Sequence, residues 1–266
     1  MLLTIVTVCK NEANRIEKTL KSVLKSEETD FEYIIMDGGS QDETLNIISS
    51  YKESFSGRGI TYRVISKADH GIYNAMNNAL DYASGDWIIY LNAGDLLVTK
   101  RLSEIVSSCD SGHIDIIYGD VVMIENGYYK RIKAKNYNNL LFEMPMCHQG
   151  VLCKTDLVRK YGFREEYRLA ADYDFLLRAL KGGTGFKYVN TVIAVYPLDG
   201  MSTKNAWKYQ LELMQSGKQV NGFSILYQTK ALTRSIVRIG KKWGAALLPK
   251  QYHVAKRGWK QLRASK

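Results

Sequence analysis

Four times in the first 95 residues the chain runs through a short, apolar, β-branched stretch and stops abruptly on polar side chains. The stretches are LTIVTV (Leu3–Val8), FEYIIM before Asp37, TYRVIS before Lys67, and WIIYL before Asn92. Between them lie segments with helical spacing. Ile16, Leu20, Val23 and Leu24 fall at i, i+4, i+7 and i+8, and DETLNIISSY and GIYNAMNNALDYA read as further helices, the last stopped by Gly85. Strands that are apolar on both faces and alternate with helices make a mainly parallel, Rossmann-like sheet flanked by helices. In such sheets ligands bind beyond the carboxyl ends of the strands. Lys10-Asn11-Glu12, Asp37-Gly38-Gly39-Ser40, Lys67-Ala68-Asp69 and Asn92-Ala93-Gly94-Asp95 are therefore expected to converge on one edge.

The second half is less regular. HIDIIYGDVVMIENGYYKRIKA predicts a hairpin turning at Asn126-Gly127. GVLC and KTDLVRKYG predict a strand and a helix, ADYDFLLRALKGG a helix, and KYVNTVIAVYP a strand. No flexible linker divides the chain.

The strand-end residues suit a nucleotide or a sugar. The Asp37 carboxylate can accept from a base or a ribose hydroxyl, and Gly38 and Gly39 let backbone approach a ligand. Asp95 can help hold Mg²⁺ or Mn²⁺ against a diphosphate, since those ions take oxygen ligands and share them with phosphates. A purely structural reading of DGGSQDET stays open: a turn in which Ser40 or Asp42 caps the next helix. LNAGD can equally be a plain loop. No P-loop and no Gly-x-Gly-x-x-Gly follows the first strand.

Cys9, Cys109, Cys147 and Cys153 match no zinc spacing and read as reduced thiols. The N-terminal residues lack the pattern of a signal peptide, and no apolar run is long enough to span a bilayer. Charge is unevenly placed. Residues 1–212 hold 25 Lys and Arg against 27 Asp and Glu, whereas residues 213–266 hold 12 Lys and Arg and no acid. Within 222–266 the cations are interleaved with Ile225, Leu226, Ile236, Trp243, Leu247 and Trp259. That pattern predicts a basic, amphipathic, helical C-terminal segment that lies on an anionic membrane surface. No nucleic-acid-binding fold is recognisable, so nucleic acid is not an expected partner.

The order TIVTVCKNE, IIMDGGSQDET, DHGIYNAMNNAL, GDWIIYLNAGD, HQGVLCK, LAADYDFLLR resembles family 2 inverting glycosyltransferases with the GT-A fold. More narrowly, it resembles bacterial enzymes of exopolysaccharide and lipid-linked oligosaccharide assembly, over about residues 3 to 200. With the charge break after Glu212, this predicts a catalytic domain at 1–212 and an appended basic segment at 213–266, which the resemblance does not cover. The resemblance implies transfer from a nucleotide-sugar donor, by default a UDP-sugar, to a saccharide or polyprenyl-linked acceptor. The reduced cysteines and the basic tail add the expectation of a cytoplasmic enzyme, held peripherally at the inner face of the cell membrane.

The resemblance places Thr7, Asn11, Glu12, Asp37 and Gly38 on the nucleotide, and Asp69, Gly71, Asn74 and Asn77 on the sugar nucleotide. The family's Asp-x-Asp motif falls on Asn92, Ala93, Gly94 and Asp95. Asn92 replaces the first Asp and leaves Asp95 as the Mn²⁺ or Mg²⁺ ligand, with a positive side chain as an alternative partner for the phosphates. The base of the single displacement falls in a Glu-Asp pair, here Ala171 and Asp172, which assigns it to Asp172. Asp174 lies on another side of that helix and is expected to pair with Arg178 at i+4. His148 and Gln149 resemble a pair on the acceptor side. The Gln-x-x-Arg-Trp motif of processive synthases does not follow Asp172, which implies one sugar per encounter. Two other readings remain at this stage: a non-catalytic sugar-nucleotide-binding relative, given Asn92 and Ala171, and a nucleotidyltransferase, for which CKNEANR is a poor phosphate loop.

Overall fold

The structure is a computed structural model that describes residues 2–28, 30–109, 112–198 and 205–222. Among these residues nine strands form one sheet in the order β3-β2-β1-β4-β8-β6-β9-β5, with β7 paired to β6. The strands are β1 Leu3–Cys9, β2 Phe31–Asp37, β3 Thr61–Ser66, β4 Trp87–Tyr90, β5 Leu96–Leu97, β6 Ile116–Glu125, β7 Tyr128–Ile132, β8 Val151–Lys154 and β9 Phe186–Pro197. β1 pairs in parallel with β2 and β4, β2 with β3, and β6 with β9. β8, β7 and β5 run antiparallel to their neighbours. The hairpin turns where expected, with Asn126 at φ 49° and Gly127 at φ 77°.

Side chains of β1 alternate between two cores. Val6 and Val8 join Ile34, Met36 and Ile88 on one face; Leu3 and Ile5 join Tyr33, Ile35 and Ile89 on the other. The second face is covered by α1 Ile16–Leu24, α2 Thr44–Ser50, α3 Lys52–Ser56 and α5 Leu102–Ser107. The first is covered by α4 Ile72–Asn78, α6 Thr155–Tyr161 and α7 Ala171–Lys181. Ile16, Leu20 and Val23 of α1 are all 0% exposed, which is the apolar stripe its spacing predicts. β3 departs from the expected burial. It is the edge strand, its pattern is largely exposed, and Arg63 and Val64 face out.

A last helix, α8 Ala206–Asn221, packs on α7 and buries Leu213 and Ser216. It runs through residues 212 and 213, where the expected division between catalytic domain and appendage falls. Residues 223–266, on which the membrane-surface expectation rests, lie outside the described residues. Among the described residues no helix is long and apolar enough to cross a membrane.

Candidate active site

The carboxyl ends of β1, β2 and β3 are laced into a ledge. Asn11, in the left-handed region at φ 54°, donates its backbone N–H to Ser40 Oγ at 2.8 Å and accepts from Gln41 N on Oδ1 at 2.9 Å. Asp37 is 2% exposed and accepts from Gly39 N at 3.1 Å, Ser40 N at 3.0 Å, Ser66 Oγ at 2.7 Å and the Ser40 hydroxyl. A buried carboxylate needs such donors, and here they come from its own turn and from Ser66 at the end of β3. Asp37 thus holds the ledge together while also lining the cleft beside it, where the expected base or ribose contact would fall. Asp42 does the same work next door, accepting from Thr44 N and Ala13 N, and the Thr44 hydroxyl beside it holds its carboxyl below the usual range. The expectation for Thr7 is corrected. It is 0% exposed inside β1 and shares a 2.8 Å hydrogen bond with Tyr33 OH.

What the ledge presents is Lys10, Gly38, Lys67 and Asp69. A Cβ on Gly38 would collide with the Asp69 carboxylate and lie 3.2 Å from Lys10 Cδ, so only glycine lets those chains close over it. Beside it lies a cleft lined by Met36, Asp37, Lys67, Asp69, Asn78 and Tyr82. Gly71 follows, its N–H donating to Asp69 Oδ1 at 3.0 Å.

The strand β4 delivers the turn Asn92–Asp95 beside this ledge. Ala93 N donates to Val8 O at 3.1 Å, and Gly94 N to Thr19 Oγ1 at 2.9 Å. Gly94 has φ 101°, and the stem of Arg15 lies against it. The Arg15 guanidinium is held by Glu12 at 2.6 and 2.7 Å, so one ion pair joins the end of β1 to this turn. Asp95 is 4% exposed and accepts from Asn92 N at 3.0 Å. Asn92 Nδ2 lies 3.2 Å from His148 Nε2, while Asn92 Oδ1 is buried with no hydrogen-bond partner.

His148 opens the short turn His148–Gly150, with Gln149 next to it, just before β8. Its Nδ1 lies 3.7 Å from Asp172 Oδ2, too long for a hydrogen bond but close for a charge. Asp172 sits in the first turn of α7 and accepts from Tyr73 OH at 3.2 Å and Tyr173 N at 2.8 Å, both on Oδ1. Asp172 and His148 form the polar edge of a small apolar pocket walled by Met76, Tyr90, Phe163, Phe175 and Leu176. Burial raises the Asp172 pKa, with His148 opposing, and burial lowers that of His148, with Asp172 opposing. The imidazole is then neutral near neutral pH. With Asn92 Nδ2 donating to Nε2, its N–H sits on Nδ1 and points toward Asp172.

Asn77 donates to Phe163 O at 2.8 Å and accepts from Phe163 N at 2.9 Å; Asn74 donates to both oxygens of Glu165 at 3.1 Å. Their amides brace the segment leading to α7, and both side chains stay partly exposed. Asp174 pairs with Arg178 at 2.7 Å, as its spacing predicts.

The profile of Glycosyl transferase family 2 matches residues 4–174. The chain belongs to this family. Among family 2 relatives, the PGL/p-HBAD biosynthesis glycosyltransferase of Mycobacterium bovis (strain BCG / Pasteur 1173P2) is 31% identical over 199 residues, covering 73% of this chain and 76% of that one. WfgD of Escherichia coli, a UDP-Glc:alpha-D-GlcNAc-diphosphoundecaprenol beta-1,3-glucosyltransferase, is 25% identical over 176 residues, 63% of this chain and 68% of its own. The mannosyltransferase PcManGT from Pyrobaculum calidifontis, solved with GDP-Man and Mn²⁺, superposes with a TM-score of 0.66 at 17% identity, over 93% of this chain and 76% of that one. The fold is GT-A, and family 2 enzymes of this fold transfer sugars.

The donor set at the turn fits the divalent cation that some neighbours of this fold hold with their nucleotides. Asp95 offers a carboxylate and Asn92 an unpartnered, buried carbonyl oxygen, both hard ligands. No cage of three or more His, Cys, Asp or Glu exists among the described residues. Diphosphate and water would complete the shell. Sequence reasoning missed Tyr73 and Arg168. Tyr73 meets Asp172 from 99 residues away, and Arg168 reaches the His70 carbonyl from 98 away. No local spacing could have paired them.

Proposed function

We propose that this family 2 enzyme moves one sugar from a nucleotide-sugar donor, a UDP-sugar, to a saccharide or polyprenyl-linked saccharide acceptor, with inversion. The setting we propose is bacterial cell-surface polysaccharide synthesis. The observation that carries this reading is the single imidazole between base and donor turn: His148 lies 3.7 Å from Asp172 on one side and 3.2 Å from Asn92 on the other. The nucleotide lies along Lys10, Gly38 and Asp69, with its base in the adjoining cleft. Asp95 and the Asn92 carbonyl would hold a Mn²⁺ or Mg²⁺ ion, which would supply positive charge against the diphosphate.

The acceptor hydroxyl then attacks the anomeric carbon from the side of α7. Its oxygen forms the new glycosidic bond, its proton passes to Asp172, and the bond to the diphosphate oxygen breaks with its electron pair. Burial makes Asp172 a stronger base than an exposed carboxylate, the property this step needs. Tyr73 and the Tyr173 N–H orient one carboxylate oxygen and leave the other toward His148. Retention of this environment supports a catalytic reading over a non-catalytic sugar-nucleotide-binding relative.

A thermal-shift screen of UDP, GDP and TDP with their sugars, each with and without Mn²⁺, tests the donor site. A ligand at about 100 times its Kd stabilises the folded form by about 2.7 kcal/mol. The expected result is a rise with the UDP series that grows when Mn²⁺ is added. A rise independent of metal would remove the cation from Asp95. No rise with any nucleotide would remove the transferase reading.

The basic segment 213–266, with its 12 Lys and Arg and no acid, holds the enzyme at the cytoplasmic face of the membrane where a lipid-linked acceptor resides. The full chain is expected to sediment with anionic vesicles and to be released by salt, while a chain ending at residue 222 stays in solution. Equal sedimentation of both would end this proposal.

A further inference from the structure

The N-terminus of α7 has no cap of its own. Ala170 stands at the cap position and its side chain accepts nothing. The acceptor arrives from α8. Glu212, 7% exposed, takes Leu169 N at 2.7 Å and Ala170 N at 3.0 Å, both on Oε2. One turn further along α8, Ser216 Oγ donates to Asp174 Oδ1 at 2.8 Å, with both residues fully buried. Asp172 lies between these two ties.

We infer that Glu212 is a positioning residue for Asp172. Buried backbone N–H groups require an acceptor, and a carboxylate at a helix N-terminus also meets the positive end of the helix dipole. Glu212 therefore fixes the residue at which α7 begins. Asp172 is the second residue of that helix, so its direction toward His148 and the acceptor follows from where the helix starts. Ala171 carries no side chain that could do this locally. The carboxylate that orders the base is thus supplied by a helix 42 residues later in the chain. This inference rests on the reading of Asp172 as the base.

The test uses the full-length chain and its Glu212→Ala, Glu212→Asp and Ser216→Ala variants. Turnover is measured at saturating donor and acceptor, UDP affinity by calorimetry, and backbone amide exchange at 169 and 170 by NMR. Glu212→Ala is expected to lower kcat about 100-fold, the scale set by an ångström of misplacement. UDP Kd and donor KM should stay within about twofold, since ground-state donor contacts are untouched. Its amides at 169 and 170 should exchange faster. Ser216→Ala loosens the same helix pair but leaves the start of α7 held by Glu212, and should keep kcat within about threefold. Equal losses of kcat in Glu212→Ala and Ser216→Ala, or a loss expressed in donor KM, would overturn the inference. If Glu212→Ala does not fold, the shorter Glu212→Asp decides: kcat must fall at a nearly unchanged melting temperature, and an unchanged kcat overturns the claim. A wild-type chain that transfers no sugar would instead sink the reading of Asp172, while the exchange data still report whether Glu212 sets the start of α7.

Discussion

Replacing Asp172 by asparagine is expected to lower sugar transfer about 10³-fold, within the range general bases contribute, while UDP binding stays as in the wild type. The side chain keeps its size, and an amide oxygen can still accept from Tyr73 OH and Tyr173 N–H, which now meet the carboxylate at 3.2 and 2.8 Å. What is lost is a group that takes a proton. The pH profile gives a second readout. Burial lifts the Asp172 pKa above the ordinary carboxylate range, so wild-type turnover should rise with pH through a point higher than an exposed aspartate would give. Below that point the carboxyl is protonated and cannot serve as base; above it the activity reaches a plateau. The residual turnover of Asp172→Asn should lack this acidic limb. A variant that keeps wild-type turnover, or keeps the limb, would show that another group is the base.

Arg178→Ala is expected to be the most damaging single change to the fold outside the site. Arg178 donates to Asp174 at 2.7 Å and caps the carbonyls of Tyr161 and Gly162. Asp174 is 0% exposed, and its remaining partners are Ser216 and, at 3.6 Å, the half-exposed Arg164. Removing one member of a buried pair leaves the other charge stranded, at a cost of about 3 kcal/mol or more. For a chain of this size that corresponds to a fall in melting temperature of roughly 6–12 °C. Below the transition, turnover per folded molecule should be retained. A fall of less than about 2 °C, the smallest shift one kcal/mol gives, would mean that Arg164 already suffices.

The half of the fold that builds the donor ledge is legible in sequence because its inner strands are buried on both faces and need no partner to be recognised. β1, β2 and β4 are read from continuous apolar runs, and α1 from its stripe. β5 is two residues long and exists only because β9 offers it an edge; no local pattern marks it. α8 escapes for a related reason: its buried residues include Glu212 and Ser216, polar groups whose burial is explained only by partners just before and on α7. At the site, Asp172, His148 and Asn92 come from separated motifs, and the structure brings them into one row. Thr7 is misjudged from sequence, and the structural work of Asp37, Asn74 and Asn77 is invisible there, for a common physical reason. A polar side chain near a ligand and one spent on holding the backbone look the same until hydrogen bonds are counted.

The turn Asn92–Asp95 is anchored at both ends to different parts of the sheet. On one side, Leu91 and Ala93 hang from β1 through Val6 O and Val8 O. On the other, Leu96 pairs with Val195 of β9, and Leu97 N is held by Ser22 Oγ at 3.0 Å. β4 and β5 are four places apart in strand order, yet only five residues separate them in the chain. The segment is therefore a strap of fixed length. An engineer wishing to change the donor can replace its side chains, but inserting or deleting a residue would pull β5 from the sheet edge. Redesign here proceeds by exchange of atoms at a constant count of residues, and a graft from another enzyme must bring its own edge strand with it.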